Sequence, residues 1–140
     1  MNIFFMGTPE FAVPTLDILN KNYNVIGVFT QPPRPSGRGM KEIKSSIQQY
    51  SEKNKLNFYT PNNLKNDETF RLLKSLNPDL IVVVAYGLLI PEVILKIPSY
   101  GCINGHASLL PKWRGAAPIQ RAIEAGDIKT GCTSMLMEKG

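Results

Sequence analysis

The segment "DLIVVVAYGLLIP", from Asp79 to Pro91, decides the fold. Residues 79–85 are almost all apolar and rich in β-branched side chains, which is typical of a strand covered on both faces. The residues that follow include an aromatic, a glycine and a proline, so the strand is expected to end there. A strand buried on both faces indicates an α/β protein with a parallel sheet.

The rest of the chain repeats this alternation. Further strands are predicted at residues 2–6, 24–30 and 132–137, with shorter candidates at residues 56–59 and 101–104. Amphipathic helical patterns are expected at residues 11–21, 45–54, 67–75 and 118–125. The predicted fold is α/β and doubly wound, with a mainly parallel sheet, helices on both faces and one domain over residues 1–140.

Composition narrows the class of protein. Of the 140 residues, 43% are hydrophobic and 19% are charged, as in a globular domain. No apolar run reaches the ~18 residues that span a membrane, and the first residues do not resemble a signal peptide. Cys102 and Cys132 have no metal-ligand spacing, so both are expected to be buried thiols of a cytoplasmic protein.

Polar or irregular segments follow four of the predicted strands. They are "GTPE" at residues 7–10, "QPPRPSGRGMK" at 31–41, "YGLLIP" at 86–91 and "GHASLLPKWRG" at 105–115. In parallel sheets of this type the ligand crevice lies beyond the carboxyl ends of the strands. These four segments are therefore predicted to form a single site.

The first of these segments argues against a dinucleotide. Gly7-Thr8-Pro9-Glu10 lacks the G-x-G-x-x-G pattern, and Glu10 places a negative charge where a pyrophosphate would bind. The second strand also ends without the acid that holds a ribose hydroxyl. Arg34 leaves open a 2′-phosphate, so a nicotinamide-dependent dehydrogenase remains an alternative that an NAD(P) titration would decide.

Residues 86–90 have two interpretations. Gly87 lets the backbone approach a flat ligand, whose edges backbone N–H and C=O groups can bind, and Leu88, Leu89 and Ile90 can wall a heterocycle. The same residues can equally form a hydrophobic plug between a strand and a helix. The residues alone leave both interpretations open.

Asn104 and His106 are candidates for acyl-type transfer. They stand two residues apart at a predicted strand end, so both are expected on the same side. An amide and a protonated imidazole can donate hydrogen bonds to an oxyanion, and the imidazole can take a proton from an attacking amine. Nucleophilic catalysis by Ser108 is disfavoured because no G-x-S-x-G elbow is present, and no metal site is predicted. An ordinary strand-end turn is the alternative.

The net charge of +5 is concentrated in one part of the chain. Residues 31–55 contain six basic and two acidic side chains. Such a cluster indicates a polyanionic partner, although a solvated loop kept soluble by its charge is an equal possibility.

Four motifs together carry a family resemblance over nearly the whole chain. "MGTPEFAVPTL", "QPPRPSGRGMK", "VVAYGLLIP" and "NGHASLLPKWRGAAPIQRAIEAGD" resemble the amino-terminal half of the methionyl-tRNA formyltransferases. The resemblance implies a Rossmann-like formyltransferase fold. It also implies formyl transfer from 10-formyltetrahydrofolate to the α-amino group of methionyl initiator tRNA, in translation initiation. No metal, membrane or obligate protein partner is implied.

The resemblance also implies roles for individual residues. Asn104 and His106 match the catalytic asparagine and histidine of the family. The folate is expected to contact two segments, namely Tyr86, Gly87, Leu88, Leu89 and Ile90, and Ser108, Leu109, Leu110 and Pro111. The tRNA phosphates are expected to contact Arg34, Arg38, Lys41 and Lys44, in the family's acceptor-end loop. The substrate pocket is expected to include Gly7, Thr8, Pro9, Arg114 and Gly115.

Two departures from the family pattern bear on activity. Gly105 stands between the catalytic pair, where the family usually has an aliphatic residue, and a glycine fixes their geometry less well. The family's catalytic aspartate would fall just past Gly140, and its carboxyl-terminal tRNA-binding β-barrel is absent. The chain is therefore expected to be truncated at its carboxyl end and to be weak or inactive in formyl transfer.

Two further functions compete with this one. A formyltransferase acting on another amine, such as a nucleotide sugar or glycinamide ribonucleotide, would not need the basic segment. Competition by tRNA, and its loss on Arg38→Ala and Lys41→Ala, discriminates between the two. A non-catalytic folate- or RNA-binding module is the other alternative, for which folate binding without turnover would be diagnostic.

Overall fold

The computed structural model describes residues 1–37, 39, 41–106 and 133–137. Strands in this part of the chain are β1 (Asn2–Gly7), β2 (Asn24–Phe29), β3 (Arg34–Ser36), β4 (Lys41–Ile43), β5 (Phe58–Tyr59), β6 (Leu80–Val84), β7 (Cys102–His106) and β8 (Thr133–Leu136). The α-helices are α1 (Val13–Asn22), which follows a 3₁₀ turn over Glu10–Ala12, α2 (Ser46–Lys53), α3 (Asp67–Leu76) and α4 (Glu92–Leu95).

Six strands form one sheet in the order β5-β2-β1-β6-β7-β8. The first five are parallel to one another, and β8 runs antiparallel to β7. The chain builds outward from β1 on one side through β2 and β5, and then on the other side through β6 and β7. The strand order therefore reverses between β1 and β6, where the ligand crevice of such sheets lies. The predicted doubly wound, mainly parallel α/β fold is confirmed.

Both faces of the sheet are covered, as the apolar character of β6 predicted. Side chains of β1 alternate between two cores, with Ile3 and Phe5 facing one and Phe4 and Met6 the other. Leu16 of α1 and Ile47 of α2 pack in the first core, whereas Leu73 of α3 and Ile94 of α4 pack in the second. Alternation with a period of two, together with a helix layer on each side, explains why Ile81 to Val84 are all buried.

Most predicted elements are present, with shifted ends. The predicted strand at residues 56–59 shortens to β5, and those at residues 101–104 and 132–137 become β7 and β8. The helix expected at residues 118–125 lies outside the described residues, as does Cys132. Cys102 is buried as predicted, and burial raises the pKa of its thiol to about 11.

Two elements were missed in the sequence. The basic segment after β2, predicted as a loop, contains the antiparallel hairpin β3–β4. Its strands have three residues each, and Pro35, Gly37 and Gly39 give the segment the composition of a turn. Both glycines have positive φ angles. Helix α4 is a single turn that begins after Pro91, too short for a periodic pattern.

Among the described residues, no helix has the length and apolar character needed to cross a membrane.

A matched pair of substitutions on α1 tests the assignment of its buried face. We expect Leu16→Ala to lower the free energy of unfolding by about 2–5 kcal/mol, because it leaves a cavity in a fully buried position. Ile18→Ala is the control, since that side chain is 60% exposed and its loss should cost less than about 1 kcal/mol. Urea denaturation of both variants gives the comparison, and equal losses would contradict the packing described.

Candidate active site

The loops that follow β1, β2 and β6 meet at the carboxyl edge of the sheet. Thr8 Oγ1, just after β1, donates a hydrogen bond of 2.7 Å to the backbone oxygen of Tyr86, just after β6. Gln31, two residues after β2, donates through Nε2 to the same oxygen at 3.0 Å, and its backbone N–H donates to Thr8 Oγ1 at 3.4 Å. We refer to Thr8, Gln31, Tyr86 and Gly87 as the strand-end cluster. It spans the point at which the strand order reverses.

Gly87 has a backbone conformation that leaves room for the Gln31 side chain of the strand-end cluster. Its φ angle is +93°, in the region that favours glycine. A Cβ atom at this position would lie 2.1 Å from Gln31 Nε2, so the Gln31 carboxamide occupies the space that a side chain would fill. Gly87 therefore permits a close approach of the Gln31 side chain, whereas the predicted approach of its backbone to a flat ligand stays a prediction.

The Tyr86 ring does not line the crevice. Its side chain is 2% exposed and packs in the core with Phe4, Phe29 and Ile94. Burial raises the pKa of its hydroxyl, which has no hydrogen-bond partner among the described residues. The plug interpretation therefore describes the observed packing of this one ring, whereas the predicted folate contact of Tyr86 stays a prediction. What Tyr86 contributes at the edge is its backbone oxygen.

The residues after Tyr86 are the more accessible part of this segment. Leu89 is 75% exposed, whereas Leu88 and Ile90 pack partly against the core. Among the described residues, the backbone groups of residues 87–90 form no hydrogen bonds. Within the described part of the chain, this short segment therefore leaves backbone donors and acceptors without partners beside an exposed apolar side chain, which suits the edge and face of a flat heterocycle.

Strand β7 carries the predicted catalytic pair. Asn104 and His106 stand two positions apart on this strand, and Asn104 pairs in register with Val83 of β6. The strand runs parallel to β6, so its carboxyl end lies at the same edge as the segment 87–90. Between the two, a Cβ on Gly105 would lie 3.2 Å from Val84 Cγ2, which makes this a close approach of β7 to a buried side chain. The Asn104 side chain is half-buried, and that of His106 lies outside what the structure describes.

The basic hairpin β3–β4 places its charges unevenly. In the antiparallel register Arg34 is opposite Ile43 and Ser36 is opposite Lys41, so Arg34 and Lys41 belong to one face of the ribbon. Glu42, opposite Pro35, belongs to the other face. The base of the hairpin is closed by a 2.6 Å hydrogen bond between Thr30 Oγ1 and Ser45 Oγ.

Two of the four cations predicted to bind phosphate already have partners. Arg34 Nη2 donates to Gln31 Oε1, and Lys44 Nζ lies 3.1 Å from Oε2 of Glu52, near the carboxyl end of α2. Lys41 is exposed and forms no ion pair among the described residues. Of the three described cations among the four, Lys41 is thus the one best placed to meet a polyanion.

The remaining predicted residues divide into two groups. Gly7 ends β1, and Thr8 and Pro9 connect it to the 3₁₀ turn, all at the carboxyl edge. The others lie outside the described residues, and they are Arg38, Ser108, Leu109, Leu110, Pro111, Arg114 and Gly115. In the described ranges, no three His, Cys, Asp or Glu side chains are grouped as metal ligands.

Sequence reasoning missed two features at this edge. A cavity of about 330 Å³ is lined by Leu64, Lys65, Asn66, Asp67, Phe70, Pro91 and Val93, at the amino terminus of α3 and beside the end of segment 86–91. The hydrogen bonds of Gln31 were not predicted, although its position at the end of a buried strand was the available signal.

Comparisons with known proteins agree on one family. Residues 1–140 match the family model described as formyl transferase. A methionyl-tRNA formyltransferase of Pseudomonas entomophila (strain L48) is 53% identical over 141 residues, which cover 100% of this chain and 46% of that protein. One of Xylella fastidiosa (strain M23) is 53% identical over 140 residues, with the same coverage. The chain thus spans about half the length of the curated relatives it matches.

Solved structures with low sequence identity share the fold. The phosphoribosylglycinamide formyltransferase of Streptococcus pneumoniae TIGR4 superimposes with a TM-score of 0.75 at 17% identity, over 99% of this chain and 74% of that one. A formyltetrahydrofolate deformylase of Pseudomonas syringae gives a TM-score of 0.72 at 19% identity, over 99% of this chain and 46% of that one.

The hydroxyl of Thr8 provides a test of the strand-end cluster. We expect Thr8→Val to lower the free energy of unfolding by about 1–2 kcal/mol, because it leaves the backbone N–H of Gln31 without its acceptor and removes one donor to Tyr86 O. Thr8→Ser keeps the hydroxyl and should cost less than half as much. Urea denaturation measures both variants, and a valine variant as stable as the serine variant would contradict the role of the hydroxyl.

Proposed function

The chain belongs to the formyl transferase family, and from this premise we propose that it transfers a formyl group from 10-formyltetrahydrofolate to the α-amino group of methionyl initiator tRNA. We assign residues 1–140 to the amino-terminal, formyl-transferring domain of such an enzyme, acting in the cytoplasm where tRNA is charged. The proposal is supported by the methionyl-tRNA formyltransferases that are 53% identical to the chain.

One observation carries the proposal. Strand β7, which bears Asn104 and His106, pairs in parallel with β6, and the carboxyl end of β6 leads into the open segment 87–90. A heterocycle held on that segment therefore lies at the same edge of the sheet as the two polar residues. Exposed Leu89 supplies an apolar surface. The backbone groups of residues 87–90, which have no hydrogen-bond partner among the described residues, supply donors and acceptors, so this segment suits the pterin of a folate.

We assign complementary roles to the two polar residues of β7. As the amine attacks the formyl carbon, negative charge develops on the formyl oxygen, and this charge is lost when the carbonyl re-forms and the bond from that carbon to the folate nitrogen breaks. The Asn104 carboxamide donates a hydrogen bond to this oxygen, and this interaction strengthens as the charge grows. The His106 imidazole accepts the proton that the amine loses, and returns a proton to the departing folate nitrogen.

The hairpin β3–β4 supports a tRNA acceptor. Arg34 and Lys41 share one face of the ribbon with the exposed side chain of Ile43, and the acidic Glu42 belongs to the opposite face. This separation of charge suits a polyanion that lies along one side of the hairpin. Phosphate contacts of this kind contribute affinity that depends on salt and little on sequence. A small amine acceptor would gain nothing from such a ribbon.

A substitution at Asn104 tests the catalytic assignment. We expect Asn104→Ala to slow single-turnover formyl transfer by roughly 10²–10³-fold, because the oxyanion loses a donor. Its dissociation constant for the folate should change less than about threefold, since the donor acts mainly in the transition state. Exposed Asn62→Ala is the matched control and should leave the rate unchanged. Single-turnover conditions separate the chemical step from product release. A rate for Asn104→Ala within threefold of wild type would contradict the assignment.

A substitution at Lys41 tests the tRNA assignment. We expect Lys41→Ala to weaken binding of initiator tRNA several-fold and to reduce the slope of log affinity against log salt by about one, because one phosphate contact is lost. Lys74→Ala, on α3, removes an equal charge away from the hairpin and should leave the slope unchanged. Fluorescence anisotropy between about 50 and 200 mM salt gives both slopes. Failure of tRNA to bind wild type at low salt would favour a small amine acceptor instead.

A further inference from the structure

We propose that Gln31 is a positioning residue that couples the basic hairpin to the segment 86–90, so that a ligand on either one strengthens binding at the other. The inference rests on the proposed function, since it takes tRNA as the ligand of the hairpin and a folate as the ligand of the segment. Neither the catalytic pair nor the phosphate contacts include this residue.

The Gln31 side chain uses both ends of its carboxamide to connect the two regions. Its Nε2 donates to Tyr86 O at 3.0 Å, and its Oε1 accepts from Nη2 of Arg34, the first residue of β3. A continuous path of hydrogen bonds thus runs from the hairpin, through one side chain, to the backbone that begins segment 86–90. Its backbone N–H, bonded to Thr8 Oγ1, fixes the position from which the side chain extends.

The opposite side of the contact is shaped to receive this carboxamide. At Gly87 the φ of +93° and the absence of Cβ open the space in which Gln31 Nε2 lies. Any other residue at position 87 would both strain the backbone and displace the carboxamide. The contact is therefore built from two complementary features that lie 56 positions apart in the sequence, a glutamine side chain and a glycine.

In the part of the chain that the structure describes, the other side-chain hydrogen bonds at the hairpin do not lead to segment 86–90. The Thr30–Ser45 hydrogen bond closes the base of the hairpin, and Gln49 Nε2 donates at 3.0 Å to the backbone oxygen of Lys44, the residue after β4. Both stay between the hairpin and α2. Among the described residues, Gln31 is the one residue that bonds both to the hairpin and to the backbone of segment 86–90.

The direction of the coupling follows from which groups the contact fixes. A ligand that fixes residues 87–90 also fixes Tyr86 O and Gly87, and thereby the carboxamide of Gln31. The Gln31 acceptor then holds Arg34 and the start of β3, so less ordering remains for tRNA binding to accomplish. Because coupling between binding sites is reciprocal, tRNA must strengthen folate binding by the same factor.

The test measures the affinity of this chain for unacylated, fluorescently labelled initiator tRNA by anisotropy. Each measurement is made with and without saturating 5-formyltetrahydrofolate, an isomer of the proposed donor that stands in for it in binding. The ratio of the two dissociation constants is the coupling factor. For wild type we expect a factor of about five or more, within the usual range of coupling between sites.

Three variants disrupt the contact in different ways. Gln31→Ala removes the carboxamide, and Gln31→Glu keeps the size and the acceptor for Arg34 but loses the donor to Tyr86 O. Gly87→Ala expels the carboxamide from the other side. We expect the coupling factor to fall to about one in all three. Gln31→Ala and Gln31→Glu leave the backbone of residue 87 unstrained, so they test whether the Gln31 contact carries the coupling even if Gly87→Ala fails to fold.

Two controls separate coupling from general weakening. Gln49→Ala removes another hydrogen bond from a glutamine to the hairpin backbone and should keep the coupling factor. Lys41→Ala should weaken tRNA binding and also keep the factor. A wild-type factor of one, or Gln31 variants that retain the wild-type factor, would overturn the inference while leaving the proposed function intact. Wild type that binds neither tRNA nor the folate would instead defeat the proposed function, and the inference with it.

Discussion

The reversal of strand order between β1 and β6 is the constraint on which the rest of the structure depends. Strand β1 pairs with β2 on one side and β6 on the other, and its side chains alternate between the two cores. Because the strands are parallel, the loops after all three leave at one edge. A single backbone oxygen, that of Tyr86, then accepts hydrogen bonds from the loops after β1 and β2. Sheet topology thus determines where the candidate site lies, and individual side chains determine only its detailed contacts.

Elements whose evidence is local were predictable from the sequence. Strand β6 shows its burial in an unbroken apolar run, and Leu16 and Leu73 show theirs in helical periodicity. The hairpin β3–β4 was not predictable, because strands of three residues beside a proline and two glycines carry no period that a sequence pattern can show. Strand β8 was predicted as a strand, but its antiparallel pairing depends on how the chain returns to the sheet.

The residues of the candidate site also differ in how far the sequence could predict their positions. The positions of Asn104 and His106 on one strand follow from a spacing of two residues, which the sequence displays directly. The inward position of the Tyr86 ring does not, because it depends on Ala85, whose φ of +50° interrupts the alternation that the preceding valines establish. The part played by Gln31 depends on a backbone group 55 residues away. Contacts of that range arise from tertiary structure, and a single sequence gives no measure of them.

The antiparallel strand β8 has a consequence for how this architecture can diverge. Thr133 pairs with His106, so two residues far apart in the sequence lie at adjacent points of the sheet, beside the proposed catalytic pair. Because the entropic cost of joining two points of a chain grows only slowly with the number of residues between them, this pairing places a weak constraint on the length of chain from His106 to Thr133. Related sequences can therefore differ in length between these two strands at little cost to the sheet itself.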